Sequence, residues 1–297
     1  VFCAVTIPPV PEVAKVRDSF TYHDWQFSKI ARVLQSYGLC YYSPILYHQA
    51  PSLYRDGIAQ HRNVVIIRVC PMDKNGWFNL GPQNSETMAN LEVADYVIVE
   101  ANKNVPVCLG GAEESVHISQ VDYIVEAPED DLLPDIPGAI PSEADKQIAR
   151  HIMDYVHDGS CIQLGIGGMP NAVGRMIADS DLKDLGGHTE MVVDAYMDMM
   201  ESGRLNGRAK RIDRNRVAYT FAIGSHKLYE YMNNNPAFAS YPVNYTNDPR
   251  VIAQIDNMVS INNCVEVDLY TQVNGESKGP VQISGNGGMW DFVLGAQ

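Results

Sequence analysis

Short runs of valine and isoleucine alternate along the chain with stretches whose apolar residues recur every three or four positions, the pattern of α/β units. In the first half, Val64–Val69, 96–100 and 122–126 are nearly continuous in β-branched residues, which predicts parallel strands buried on both faces. Asp73-Lys74-Asn75-Gly76 reads as a turn, and 85–93 carries a helical period. The alternation restarts in the second half. Strands are expected at Cys161–Leu164, 191–193, 217–223, Met258–Ile261, 265–270 and 281–284, and a helix at 170–178.

Between the two series the chain reads APEDDLLPDIPGAIPS. Pro128, Pro134, Pro137 and Pro141 interrupt regular backbone there, and the acids keep it solvated. This is the best domain boundary, and it predicts an N-terminal α/β domain over 1–140 and a C-terminal one over 142–297, with the linker at about 127–141. Just after it, Ser142 is placed to cap a helix with Asp145 three residues on. Ala144, Ile148, Ile152 and Tyr155/Val156 give that helix its apolar face, and Gly159 is a fitting stop.

Composition narrows the functional classes. Apolar residues make up 45% and charged residues 20% of 297, enough for a buried core and against disorder. The net charge of −14 opposes general affinity for nucleic acid or anionic membrane, so an anionic ligand needs a local site. The six cysteines (Cys3, Cys40, Cys70, Cys108, Cys161, Cys264) form no CxxC pair and no zinc spacing, which reads as reduced thiols and no metal. With no apolar run of membrane-spanning length and no basic leader, a cytoplasmic protein is expected, its ends read as trimmed.

Two segments carry chemistry. Gln163-Leu164-Gly165-Ile166-Gly167-Gly168-Met169-Pro170 runs from a strand through a glycine-rich turn into a helix, with Pro170 suited to the first helical position. Ala172, Val173, Met176 and Ile177 would bury one face of that helix and aim its N-terminal amides from a fixed platform. A tight connection would use the same glycines. About twenty residues on, Glu190 in Gly187-His188-Thr189-Glu190-Met191 stands just before an apolar strand. Alone it reads as a solvated loop acid. Beside an anion-binding turn it is placed to act on a group the amides hold.

The segments GIGGMPNAVG, DLKDLGGHTEM, NYTND, INNCVEVDLY and ISGNGGMWDF, in this order, resemble the acetyl-CoA hydrolase/transferase group of family I CoA-transferases. CPMDKNGWFNLGP and CLGGAEESVHISQVD extend the resemblance, which runs from about residue 39 to the end. Within the group the chain is most similar to butyryl-CoA:acetate CoA-transferases, followed by 4-hydroxybutyrate CoA-transferases. The resemblance implies two open-sheet α/β domains of similar type with the active site between them. It implies CoA exchange between a short-chain acyl-CoA and acetate through a glutamyl-CoA thioester, with acyl-CoA hydrolysis or an inactive CoA-binding subunit as the alternatives. Coenzyme A is then a substrate, with no permanently bound cofactor, and a homo-oligomer is expected.

By position, Glu190 corresponds to the family's catalytic glutamate and Asn247, in YTND, to an asparagine that contacts the reacting acyl group. Gly165, Ile166, Gly167, Gly168 and Met169 correspond to its CoA-binding and oxyanion turn, and Val265 and Gly288 to positions lining the CoA site. The chain departs from the pattern at Met289-Trp290, where a glutamine is usual, and at Thr271, where glycine is usual. Residues 1–38 match poorly, and family members extend past both ends, a CoA-contacting lysine falling beyond Gln297. Three further groups are open to two readings. His188 suits a base or a hydrogen-bonding role, 213–216 a phosphate contact or a solvated loop, and the aromatic stretch 41–54 an acyl pocket or core packing. His117 reads as structural.

Overall fold

The computed structural model describes residues 2–3, 16 and 19–297; the side chain of Cys3 and part of the poorly matching opening segment lie outside the described residues. The chain packs as two compact units, one of 1–47 with 262–291 and one of 48–261 with 292–297.

In the smaller unit, β1 (Phe2–Cys3), β2 (Tyr22–Asp24) and β3 (Cys40–Tyr42) form a parallel sheet in that order. Helix α1 (Lys29–Ser36) starts where the Ser28 hydroxyl accepts the Ala31 N–H, and it buries Ala31 and Leu34 with Tyr22, Phe27 and Cys40. The strands expected at 265–270 and 281–284 are reduced to two-residue arms of antiparallel hairpins, Glu266–Val267 with Val273–Asn274 and Ser277–Lys278 with Val281–Gln282. The cause is local. The Asp268 carboxylate accepts the N–H groups of Tyr270 and Gln272, and Thr271 takes a left-handed φ of 65°, so the backbone turns instead of extending.

The larger unit holds two main parallel sheets, of three and five strands. Helix α2 (Ala50–Arg55) leads to β4 (Val64–Val69). Strand β5 (Trp77–Asn79), helix α3 (Thr87–Val93), β6 (Tyr96–Ala101), β7 (Ser115–His117) and β8 (Tyr123–Glu126) follow. β4, β6 and β8 make a three-stranded sheet, and β5 pairs antiparallel with β7. One face of the three-stranded sheet, through Val69, Val97 and Val99, is buried against Phe78, Leu80, Met88, Leu91 and Val116. The opposite face corrects the expectation of two-sided burial: Ile66, Tyr96, Tyr123 and Val125 are exposed among the described residues.

The segment 127–141 has neither helix nor strand, as its prolines require. It is nevertheless pinned. Ile136 N–H donates to Gly224 O, Asn171 Nδ2 to Ala139 O, and the His226 N–H to Asp135 Oδ1. Helix α4 (Glu143–Met153) then opens on the expected capping box between Ser142 and Asp145.

The second sheet follows from β9 (Cys161–Leu164), α5 (Gly168–Ala178), β10 (Gly186–His188), β11 (Met191–Val192) and α6 (Asp194–Glu201). β12 (Val217–Tyr219), β13 (Phe221–Ala222), α7 (His226–Met232), β14 (Phe238–Ser240), α8 (Val243–Thr246), α9 (Pro249–Ile252) and β15 (Met258–Ile261) complete it. Its parallel order is β14-β12-β10-β9-β15. All four residues of β9 are buried, as a central strand needs. Gly174 brings α5 against α6, because a Cβ there would lie 2.5 Å from that of Ala195. The expected single strand at 217–223 is split at Thr220, so that β12 joins the large sheet and β13 pairs with β11.

The two sheets are stitched together through main chain. Ala222 N–H donates to Pro82 O, Ser85 N–H to Thr220 O, Val243 N–H to Ser85 O and Gly111 N–H to Ser240 O. Ser85 holds a left-handed φ of 50° to make its two bonds.

Candidate active site

Adjacent parallel strands deliver their C-terminal ends side by side, and ligands of open α/β sheets bind at that edge. Here the neighbours are β9, which runs into the glycine turn, and β10, which runs into Thr189 and Glu190. Strand β10 carries two glycines in three residues, a composition that disfavours a strand on propensity alone. Packing explains them: a Cβ on Gly186 would lie 2.6 Å from Lys210 Cγ, and one on Gly187 would lie 3.0 Å from Val217 Cγ1. Lys210 is buried beside the strand, donating from Nζ to the carbonyls of Gly187 and Arg216 at 2.8 Å each, and burial pulls its pKa down.

The buried Thr189 hydroxyl donates toward Leu164 O, at 3.2 Å, and Met191 O, at 3.1 Å, tying the residue before Glu190 to the residue before Gly165. Tyr196, fully buried, braces the same point, with Leu164 N–H donating to its hydroxyl at 2.9 Å and that hydroxyl donating to Ile162 O. Glu190 is therefore fixed from both sides, since its own carbonyl accepts the N–H groups of Thr220 and Phe221. Its side chain is half-buried, and Oε2 accepts a hydrogen bond of 2.7 Å from Nδ2 of Asn247. Asn247 is completely buried at the end of α8. Two residues predicted for catalysis are thus brought together.

The glycine turn adopts the conformation its sequence permits. Gly167 sits at φ 131° and ψ −179°, a region essentially reserved for glycine, and it is the N-cap of α5 with no side-chain cap. Gly168 and Met169 occupy the first turn, whose N–H groups have no partner inside the helix. Pro170 stands at the third helical position, not the first, and loses nothing there for the same reason. Ile166 is exposed at the crest and Met169 is buried. Gly168 also admits the end of the linker, because a Cβ would fall 2.6 Å from Asp145 Oδ2 and 3.4 Å from Pro141 Cα.

Val265 and Gly288 belong to the smaller unit. Val265 is exposed and its N–H donates to Asn274 O, while Gly288 is buried in the turn before Met289. The Met289 departure has a packing partner: Gly275 has no room for a Cβ, which would lie 2.8 Å from Met289 Cε.

Sequence reasoning left His188 open and missed the aromatic clamp behind Asn247. Asp213, at a φ of 49°, accepts hydrogen bonds from Tyr241 at 2.6 Å and Tyr245 at 2.9 Å, and the two rings stack at 4.2 Å. Burial first, and the Asp213 carboxylate second, push Tyr241 up to about 12. The acid of segment 213–216 is therefore engaged within the fold, and Arg214 and Arg216 are exposed. His117 lies against Trp77 and bonds Ser119. In the aromatic stretch, Tyr54 is buried under the Arg62 guanidinium and Tyr41 is exposed. Among the described cysteines, burial pushes Cys70 and Cys108 up to about 12 and Cys161 up to about 11, which removes them as thiolate nucleophiles. No group of three or more metal-binding side chains exists among the described residues, and no helix there is long and apolar enough to cross a membrane.

The chain belongs to the acetyl-CoA hydrolase/transferase family, matching its N-terminal domain over residues 8–134 and its C-terminal domain over 224–297. It is 51% identical over 288 residues to the butyryl-CoA:acetate CoA-transferase of Anaerostipes caccae, covering 96% of this chain and 64% of that protein. Among solved structures it resembles RipA from Yersinia pestis at a TM-score of 0.86 and 34% identity, over 95% of this chain and 64% of that one. The 4-hydroxybutyrate CoA-transferase of Porphyromonas gingivalis gives 0.76 and 33%, over 95% and 68%. The chain thus spans just under two thirds of the length of the first two.

Proposed function

We propose that the protein is a CoA-transferase that exchanges CoA between butyryl-CoA, or a similar short-chain acyl-CoA, and acetate, with Glu190 as the nucleophile. The observation that carries this reading is the Glu190 carboxylate at the C-terminal edge of a parallel sheet, held by Asn247 and tied through Thr189 to the start of the glycine turn. The names of the relatives supply the substrate class.

A carboxylate is a weak nucleophile toward most carbonyls, but its exchange with another carboxylate is nearly isoenergetic. In the proposed first step a Glu190 oxygen bonds to the acyl carbon of acyl-CoA, and collapse of the adduct breaks the C–S bond to give a mixed anhydride and CoA thiolate. The thiolate then attacks the Glu190 carbonyl carbon, releasing the acyl group as its carboxylate and leaving a glutamyl-CoA thioester. Acetate repeats the sequence in reverse and departs as acetyl-CoA. Protons balance without a base. Each adduct carries an oxyanion, for which the first-turn amides of α5 are preorganised donors worth on the order of 3 kcal/mol each. Asn247 keeps one carboxylate oxygen of Glu190 occupied and so orients the other. Gly165 to Met169 are assigned to CoA and the oxyanion, and Val265 and Gly288 to CoA on the resemblance alone.

The test is to incubate the full-length protein with butyryl-CoA alone and reduce with borohydride, which attacks thioesters far more readily than carboxylates. Peptide mass analysis is expected to find the reduced side chain at Glu190, and added acetate to protect it. Modification at another residue, or acyl transfer to a serine or cysteine with release of CoA, overturns the reading. Rates with propionyl-CoA and 4-hydroxybutyryl-CoA then rank the acyl donors.

A further inference from the structure

His188 is fully buried two residues before Glu190, on the last position of β10. Its Nε2 lies 2.8 Å from the carbonyl oxygen of Thr246, 58 residues away in sequence. A carbonyl only accepts, so the proton is on Nε2 and Nδ1 is left as an acceptor, with no hydrogen-bond partner among the described residues. Phe292 and Tyr245 flank the ring at 6.2 and 6.4 Å between centroids, which fixes its plane. The bonded carbonyl belongs to the residue immediately before Asn247, whose Nδ2 reaches Glu190. The main chain between the two bonds is a single peptide unit at the end of α8. That helix is only four residues long, and besides its own backbone bonds it is held near its end by the His188 ring at the Thr246 carbonyl and by the Asp213 carboxylate at the Tyr245 hydroxyl.

We propose that His188 is a positioning residue: by holding the Thr246 carbonyl, it sets the peptide from which Asn247 presents its amide to the Glu190 carboxylate. The strand that delivers Glu190 thus also supplies the group that aligns the partner of Glu190, and the two side chains keep register whatever α8 does at its far end. The ring touches neither substrate nor the reacting atoms and takes no proton in the reaction. A histidine that only filled space would leave Asn247 indifferent to its replacement. The proposal rests on the reading of Glu190 as nucleophile for its kinetic consequence, but not for its geometric one.

The experiment uses the full-length protein and the variants His188→Gln, His188→Asn, His188→Phe, Asn247→Ala and the double variant H188F/N247A. Glutamine can place an amide N–H near the position of Nε2; asparagine is too short to reach Thr246, and phenylalanine has no donor. In crystal structures, H188Q is expected to keep the Asn247–Glu190 hydrogen bond and H188F, or H188N if H188F does not fold, to lose it. Single-turnover formation of the glutamyl-CoA thioester is expected to slow about tenfold or more in H188F and H188N, with butyryl-CoA affinity within about twofold, and to recover in H188Q. The double variant is expected to be no slower than N247A alone. An intact Asn247–Glu190 bond in both H188F and H188N, or independent effects that multiply in the double variant, overturns the proposal. A wild-type protein that forms no thioester at Glu190 while H188F and H188N still displace Asn247 overturns the functional reading and leaves the positioning role supported.

Discussion

Asn247 donates from Nδ2 to Oε2 of Glu190 at 2.7 Å, joining side chains 57 residues apart in sequence. A hydrogen bond to a carboxylate fixes which oxygen is free and where it points, at the cost of some nucleophilicity in the bonded oxygen. Asn247→Ala is therefore expected to lower the rate of thioester formation by about tenfold or more, with little change in acyl-CoA affinity, because the bond orients a reacting group and does not bind the substrate. Rapid-quench measurement of butyrate released from butyryl-CoA, with affinity measured calorimetrically, separates the two. An affinity loss equal to the rate loss would mean that Asn247 acts on the substrate and not on Glu190.

Glu190→Asp withdraws the carboxylate by about one methylene while the main chain stays pinned by Thr220 and Phe221. Displacement of that order costs roughly a hundredfold in transfer, and the space admits water. Transfer is expected to fall far more than CoA binding, and the ratio of hydrolysis to transfer to rise. Both are read in one assay that follows acetyl-CoA and free CoA together. Undiminished transfer in E190D would place the nucleophile elsewhere.

The imidazole of His188 gives the fold a pH dependence of definite sign. Burial first, and the Lys210 ammonium second, lower its pKa to about 4 from 6.5. In the interval between those values the unfolded chain binds a proton that the folded one excludes. The contribution is therefore complete above about pH 6.5, declines as the pH falls through the interval, and levels off below about 4, for a total loss on the order of 3 kcal/mol at most. Urea midpoints at about pH 7 and about pH 4.5 are expected to lie closer together in H188Q than in the wild type. Equal displacement in both proteins would show that the ring does not titrate on unfolding.

Parts of this arrangement are legible in the chain and parts are not, for physical reasons. The Val64–Val69, Cys161–Leu164 and Met258–Ile261 strands lie where continuous β-branched and apolar runs place them, and the Ser142 capping box follows from two residues. Strand β10 is hidden because its glycines answer to Lys210 and Val217, which approach from elsewhere in the sequence. Glu190 and the turn could be suspected from their spacing. Asn247 came only through the resemblance, since nothing local in Tyr245-Thr246-Asn247-Asp248 says that its amide will meet a carboxylate. His188 could be noticed but not assigned, because its partner is a carbonyl, and every residue has one.

Thr271 offers a test of stored strain in the smaller unit. It occupies a left-handed φ of 65°, and a β-branched residue there is an outlier in which Cβ crowds the backbone. The hairpin turn closed by Asp268 imposes the conformation. Thr271→Gly is expected to stabilise the protein by about 1 kcal/mol, the relief of strain being partly offset by the greater freedom of glycine in the unfolded chain. A rise in Tm of a few degrees with unchanged transfer is the expected result. A fall in Tm would mean that the hydroxyl bond to the Tyr270 carbonyl, at 2.6 Å, outweighs the strain.

Gly167→Ala separates an anion-binding turn from a tight connection. At φ 131° and ψ −179° an alanine is strained by about 1–3 kcal/mol, so either reading predicts a lower Tm. The readings diverge in the protein that remains folded. If the turn only links β9 to α5, the backbone can relax by moving Ile166, whose side chain is exposed, and CoA affinity per folded molecule is unchanged. If the amides of Gly168 and Met169 hold the ligand, the same relaxation swings them off their target, because Gly167 is the N-cap from which the helix is aimed. CoA affinity is then expected to fall by about tenfold or more at a temperature where G167A is fully folded, and single-turnover thioester formation to fall further, since the oxyanion demands closer alignment than the ground state does. Isothermal titration with CoA, paired with the single-turnover rate, reads both. A G167A protein that binds CoA normally and transfers at the wild-type rate would return the glycine turn to the role of a connection.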